Sequence, residues 1–257
     1  MSSKLQKALR GALRALRHRI RRATGSGPAL LRRRFPDLDD AALACSEYVK
    51  PYTLTSPERI FALRQAVQYV VNCAIPGDIV ECGVWRGGSM MAVARTLLEM
   101  QALRRLHLFD TFQGLPPPAD VDRDYRGRSA AEQMADMRSF CPLDEVKRNL
   151  CATGYDEGHM VFVKGKVEDT IPAQAPAQIS LLRLDTDWYE STYHELLHLY
   201  PRLSVGGVLI IDDYGHWQGA RRAVDQYIQQ NHLKLLLQRI DFTGRICVKL
   251  EAGPAKP

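Results

Sequence analysis

The chain has 257 residues, 46% of them hydrophobic, which is enough to bury a sizeable core as a single α/β domain. Its formal charge of +6 is unevenly placed: the first 34 residues hold 11 of the 35 Lys and Arg and no acid, leaving 24 basic against 29 acidic residues in the remainder. A mildly acidic body excludes a nucleic-acid groove across the domain, no apolar run reaches the roughly 18 residues of a spanning helix, and six cysteines without a CxxC pair or zinc spacing fit a reduced, cytoplasmic setting.

Residues 1–34 read as a basic arm and linker, and residues 35–257 as the folded domain. Over residues 1–24, Leu5, Leu9, Leu13, Leu16 and Ile20 share one helical stripe while Lys and Arg fill most of the rest. Such a helix suits an anionic membrane surface, so peripheral contact at the inner face of the membrane is one expectation; a solvated arm, a partner-binding helix or an Arg-rich presequence are the others.

Ser56-Pro57-Glu58 predicts a helix start, with Ser as N-cap and Pro at the first helical position, running to about Asn72. Cys73 and Cys82 read as small core residues. A strand over Asp78 to Cys82 carries Glu81 near its end and leads into Gly83, Gly87 and Gly88 before a second helix. Glycines there let a nucleotide-like ligand approach the backbone, or serve strand-to-helix packing alone. The next apolar run, Leu106 to Phe109, stops at Asp110, 22 positions after Gly88, where a doubly wound fold places the acid that holds ribose hydroxyls. The polar, charged stretch 114–142 is long for a connection in a compact domain and reads as a substrate lid, helical near Ala130 to Met137. A helix over Leu143 to Leu150 and a strand over Met160 to Val163 follow, and Asp169 either borders a base-binding pocket or caps a helix.

Two further apolar runs, Ile179 to Leu184 and Val208 to Ile211, both stop on aspartate, delivering Asp185 and Asp187 from one and Asp212 and Asp213 from the other. Strands of an open α/β sheet present their carboxyl ends to ligand, so these acids can converge. Crowded carboxylates need a cation or a proton among them, and an oxygen-only set favours Mg²⁺, Mn²⁺ or Ca²⁺ over zinc. The alternative is that they cap helices and turns, Asp187 above all. A helix from Trp217 to Gln230 and a closing strand pair, Leu233 to Ile240 and Arg245 to Leu250, complete the chain.

GDIVECGVWRGGS, LFDTFQGLP, LLRLDTDWYEST and IIDDYGHWQGARRAVDQY, in this order and with PYTLTSPER ahead of them, resemble the macrocin O-methyltransferase family over about Tyr48 to Leu250. The resemblance implies a class I, Rossmann-like sheet of seven strands with the last antiparallel, and S-adenosylmethionine (SAM)- and metal-dependent methylation of a sugar hydroxyl on a glycoside or saccharide. It implies Glu81, Gly83, Gly87 and Ser89 around the methionine part of SAM, Asp110 on the ribose, and Asp185, Asp212 and Asp213 as ligands of Mg²⁺ or Mn²⁺, with Asp185 also the leading candidate for general base. Assembly into a homo-oligomer is a further implication. Catechol-type relatives carry a lysine base three residues after the first metal aspartate; here Trp188 stands there, which disfavours a phenol acceptor and leaves Asp185 or His216 to take the proton. A decayed methyltransferase fold acting as a membrane-recruited scaffold is the remaining alternative.

Overall fold

The computed structural model describes residues 28–134 and 140–251. It divides into a first unit, residues 1–48, and a second, residues 49–257. Helix α1 (Pro28–Arg34) and most of α2 (Asp40–Val49) belong to the first. The basic stripe of residues 1–24 lies outside the described residues, as does Met137.

In the second unit the apolar runs become strands of one sheet because neither of their faces meets water. After helix α3 (Pro57–Asn72) come β1 (Asp78–Cys82), α4 (Gly88–Glu99) and β2 (Leu106–Asp110). The short helix α5 (Ala130–Gln133), α6 (Leu143–Cys151), β3 (Met160–Lys164), α7 (Val167–Thr170) and β4 (Ile179–Leu184) follow. The chain closes with α8 (Tyr189–Leu199), β5 (Leu203–Ile211), α9 (Gln218–Gln230), β6 (Gln238–Arg239) and β7 (Arg245–Val248). The strand order is β3-β2-β1-β4-β5-β7-β6, parallel from β3 to β5, with β7 antiparallel to both of its neighbours. Val80, Cys82, Phe109, Leu182, Leu184, Leu209 and Ile211 form the middle of the core.

Register decides where the site falls. Cys82 lies opposite both Phe109 and Leu184, and Leu184 lies opposite Ile211. The residues that follow these four, Gly83, Asp110 (the last of β2), Asp185 and Asp212, therefore emerge along one edge.

Some local expectations change. β5 begins at Leu203 rather than Val208, and the strand expected over Leu233 to Ile240 contracts to Gln238–Arg239. Leu233, Leu235 and Leu237 keep their inward alternation by packing on the core without joining the ladder. Cys73 is exposed at the C-terminus of α3, unlike buried Cys82. Ser56 does cap α3: its Oγ accepts from the Arg59 amide at 3.2 Å and donates to Asp241 Oδ2 at 2.7 Å, fastening the helix start to the β6–β7 turn.

Gly83 has φ +81°, and a Cβ there would stand 1.9 Å from the carbonyl oxygen of Asp185. The glycine exists so that the ends of β1 and β4 can pass each other, and no side-chain movement relieves a clash with backbone. Gly83→Ala is expected to destabilise the protein by about 2 kcal/mol or more. Urea unfolding checks this; an unchanged midpoint would contradict it.

Candidate active site

A cavity of about 780 Å³ opens over the carboxyl ends of the strands. Gly83, Ser89 and Asp110 share its wall with Asp185, Asp212 and Asp213, joined by Thr55 and Arg59 from the start of α3. Glu168, not its neighbour Asp169, lines the side after β3. Two residues expected around the methionine part of SAM stand behind the wall. Gly87, at φ +87°, is the left-handed N-cap of α4 and its missing Cβ leaves room for Leu150. Glu81 is buried and bonded to Arg183, outside the cavity lining.

Asp110 anchors the turn after β1. Its Oδ2 accepts the amides of Val84 and Trp85 at 2.7 and 3.0 Å, and its Oδ1 accepts that of Phe112 at 2.7 Å. A carboxylate offers about four lone-pair directions, so capacity for a ribose hydroxyl remains.

The acids converge as the sequence spacing suggested, and a side chain that spacing did not single out holds them. Arg183, in the fully buried strand β4, donates from Nη1 to Asp185 Oδ2 at 2.7 Å and from Nη2 to Asp212 Oδ1 at 2.5 Å. Nη1 also donates to Glu81 Oε1, and Nη2 reaches Thr55 Oγ1 at 3.2 Å. Arg59 supplies a second guanidinium, paired with Asp212 Oδ2 and, through Nε at 3.0 Å, with Asp241. A charged residue inside a run that must be buried, as Arg183 is in SLLRLD, needs partners, but the sequence does not say which.

Burial dominates the electrostatics. It pushes Glu81 up to about 7 although Arg183 pulls downward, and it raises Asp185 and Asp213 well above the usual carboxylate range. Asp187 is raised to about 7 by burial and by the charge of Asp185, while the Trp217 indole N–H, 2.7 Å from its Oδ1, opposes the shift. Asp187 lines the cavity instead of capping α8; Asp122, from the 114–142 stretch, accepts the Tyr189 amide there at 2.8 Å.

Among the described residues, Asp185, Asp212 and Asp213 form a group whose ligand atoms lie within 4.8 Å of one another. Six carboxylates (Glu81, Asp185, Asp187, Asp212, Asp213 and Asp241) surround two guanidinium groups, leaving four negative charges over when all are ionised. An oxygen-only set with residual negative charge fits a hard divalent cation.

The stretch 114–142 is clamped where it is described. Besides its bond to Tyr189, Asp122 accepts the Ala119 amide at 2.8 Å; Asp124 accepts the Arg126 and Arg128 amides, each at 2.9 Å. Pro116 accepts the Trp188 indole N–H at 2.9 Å, and Arg123 accepts the Gln218 amide at 2.8 Å. Trp188 and Trp217 meet edge to face at 5.0 Å beneath it. His216 packs edge-on against Trp217 at 4.7 Å, and burial lowers its pKa from the ordinary histidine value.

Comparison with known proteins places this geometry. The family model described as macrocin-O-methyltransferase (TylF) matches residues 14–249, reaching further toward the N-terminus than the motifs that suggested it. A Streptomyces olivaceus protein, the 8-demethyl-8-(2,3-dimethoxy-alpha-L-rhamnosyl)-tetracenomycin-C 4'-O-methyltransferase, is 36% identical over 216 residues, 81% of this chain and 80% of its own. The demethyldecarbamoylnovobiocin O-methyltransferase of Streptomyces niveus is 36% identical over 199 residues, 75% of this chain and 74% of its own. The solved structure of the O-methyltransferase NovP superposes with a TM-score of 0.69 at 32% identity, covering 78% of this chain and 83% of that one. With its sheet, its cofactor-sized cavity and these relatives, the chain belongs to the macrocin O-methyltransferase family and is a SAM-dependent O-methyltransferase.

Proposed function

We propose that the enzyme methylates a hydroxyl of a sugar in a glycoside or saccharide, with Mg²⁺ or Mn²⁺ held by Asp185, Asp212 and Asp213. The observation that carries this is the single cavity whose wall joins Gly83, Ser89 and Asp110 to those three carboxylates. The substrate class is supported by the relatives that act on a rhamnosyl-tetracenomycin and on mycinamicin III, the latter a Micromonospora griseorubida enzyme 32% identical to this chain. Buried Trp188, standing where catechol-type enzymes have a lysine, weighs against a phenol acceptor. We place the reaction in the cytoplasm, which the cysteine pattern of the sequence favours.

Methyl transfer is an in-line displacement: a C–O bond forms as the sulfonium C–S bond breaks, the sulfur leaves as a thioether, and the hydroxyl proton goes to a base. The site's main task is therefore alignment, because reacting atoms held at near-attack distance gain most of the available acceleration. Asp185, Asp212 and Asp213 would hold a divalent cation, which would orient the acceptor and lower the pKa of its attacking hydroxyl. Asp110 holds the ribose and Ser89 stands beside the methionine end. Asp185 accepts the proton, its other oxygen steadied by Arg183, and Asp187 two residues on is the second carboxylate within reach. Trp217 and His216 wall the acceptor side and exclude water.

Asp185→Asn is expected to reduce turnover of a glycoside acceptor by at least about a hundredfold while leaving the affinity for S-adenosylhomocysteine (SAH) within about threefold, since the cofactor's contacts lie elsewhere. Chelation by EDTA should do the same to the wild-type protein, with Mg²⁺ restoring the rate. A wild-type rate in the variant sinks the assignment of Asp185, and metal-independent turnover sinks the metal.

For residues 1–24 we propose peripheral attachment to anionic lipid through the leucine stripe. Removal of these residues is expected to spare methyl transfer in solution and to lower sedimentation with phosphatidylserine-containing vesicles at low salt. Equal sedimentation of both forms removes the proposal.

A further inference from the structure

A second cavity, of about 690 Å³, adjoins the first and shares His216 and Trp217 with it as a common wall. Its other features are not needed for methyl transfer. Tyr125 and Phe242, 46% and 47% exposed, line it and meet each other edge to face at 4.9 Å. Tyr125 also meets the His216 ring at 5.7 Å, so an unbroken aromatic path leads away from Asp213 and its neighbours.

Charge lines the opposite side. Arg221 and Arg222 stand near the start of the 13-residue helix α9, whose first turn holds no acid. Arg221 rests over the Tyr214 ring at 5.2 Å, with Arg245 over the same ring at 4.9 Å, and Arg222 rests over Tyr189 at 5.6 Å. Among the described residues neither Arg221 nor Arg222 forms an ion pair. Arg221 Nε is bonded to the Tyr214 carbonyl at 3.2 Å, which leaves its Nη groups for a ligand. The single acid of the lining, Asp225, accepts the Tyr214 hydroxyl at 2.8 Å. Guanidinium groups stacked on aromatic rings are positioned before a ligand arrives, and their fork matches phosphate or carboxylate.

We propose that this cavity receives the part of the acceptor beyond the methylated sugar, and that it selects a flat ring bearing negative charge. The ring lies against Tyr125 and Phe242 and the anion is held by Arg221 and Arg222. This rests on the methyl-transfer reading for its connection to catalysis, but the binding site stands on its own residues. Either a nucleoside diphosphate or an aromatic group carrying phosphate or carboxylate presents this chemistry.

The test uses the full chain saturated with SAH, so that a nucleotide cannot occupy the cofactor cavity. Uridine diphosphate and 4-nitrophenyl phosphate are titrated separately by calorimetry into the wild-type protein, the Arg221→Gln/Arg222→Gln and Arg221→Lys/Arg222→Lys pairs, and Tyr125→Ala. At least one probe is expected to bind the wild type, to bind about tenfold or more weakly to the glutamine pair, and to recover in part with the lysine pair; SAH affinity stays constant throughout. Preference for the nucleotide assigns a nucleoside diphosphate acceptor, and preference for the nitrophenyl ester assigns an aromatic one. No binding of either probe, or equal affinity in the glutamine pair, overturns the subsite. Failure of SAH to bind would instead count against the methyl-transfer reading, while the dependence of the probes on the two arginines would still decide this one.

Discussion

The site depends on one buried cation. Arg183 joins Glu81 on β1, Asp185 at the end of β4 and Asp212 at the end of β5, so a single guanidinium ties three adjacent strands at the edge where the reaction occurs. Taking an arginine out of water costs several kcal/mol, and only well-placed, ionised partners return that cost. The geometry of the acids and the ionisation of the acids are thus coupled: Arg183 holds them in position, and their charge makes its burial tolerable. Thr55 and Arg59 bring the start of α3 into the same network, and Asp241 carries it on to the β6–β7 turn. The cofactor wall and the carboxylate cluster are in this way fastened to opposite ends of the chain.

Backbone constraints do the complementary work. Asp185 passes so close to Gly83 that the two loops cannot move apart or together independently. Gly219 is bound in the same manner to the 114–142 stretch, because a Cβ there would stand 1.9 Å from Asp122 Oδ1. Asp122 and Asp124, 1% and 0% exposed, are therefore structural acids in a segment whose composition resembles a solvated loop. Their bonds attach it to the starts of α8 and α9.

How far the sequence could be read follows from what each residue must satisfy. Strand ends were legible because apolar runs stop on acids, and register then brought Gly83, Asp110, Asp185 and Asp212 together as expected. The glycines were legible as necessary but not in their reason: Gly87 makes room for Leu150, a contact between residues far apart in the chain. Arg183 and Asp122 were missed for the same cause. Whether a charge is buried and paired depends on partners that only tertiary structure brings near, and neither periodicity nor local spacing carries that information. The strand contraction at Leu233 to Leu237 is a milder case, since alternation identifies which face is apolar and not whether a ladder partner exists.

The two cavities differ in sign, and the difference follows the chemistry of the two ligands. On the cofactor side the carboxylates outnumber the guanidinium groups, an excess that a divalent cation held there would offset in part. Beyond Trp217 and His216 the balance reverses, with Arg221 and Arg222 against Asp225 alone. A negatively charged acceptor placed among the aspartates would be repelled; laid across the aromatic wall, it would keep its charge on the arginines and present only a neutral hydroxyl to the carboxylates. That separation explains why the rings stand between the two sites: they supply contact for a sugar or a flat group while adding no charge of their own. Specificity for the acceptor and competence for the reaction can then be tuned by different residues, the former on α9 and the 114–142 stretch, the latter at the ends of β4 and β5.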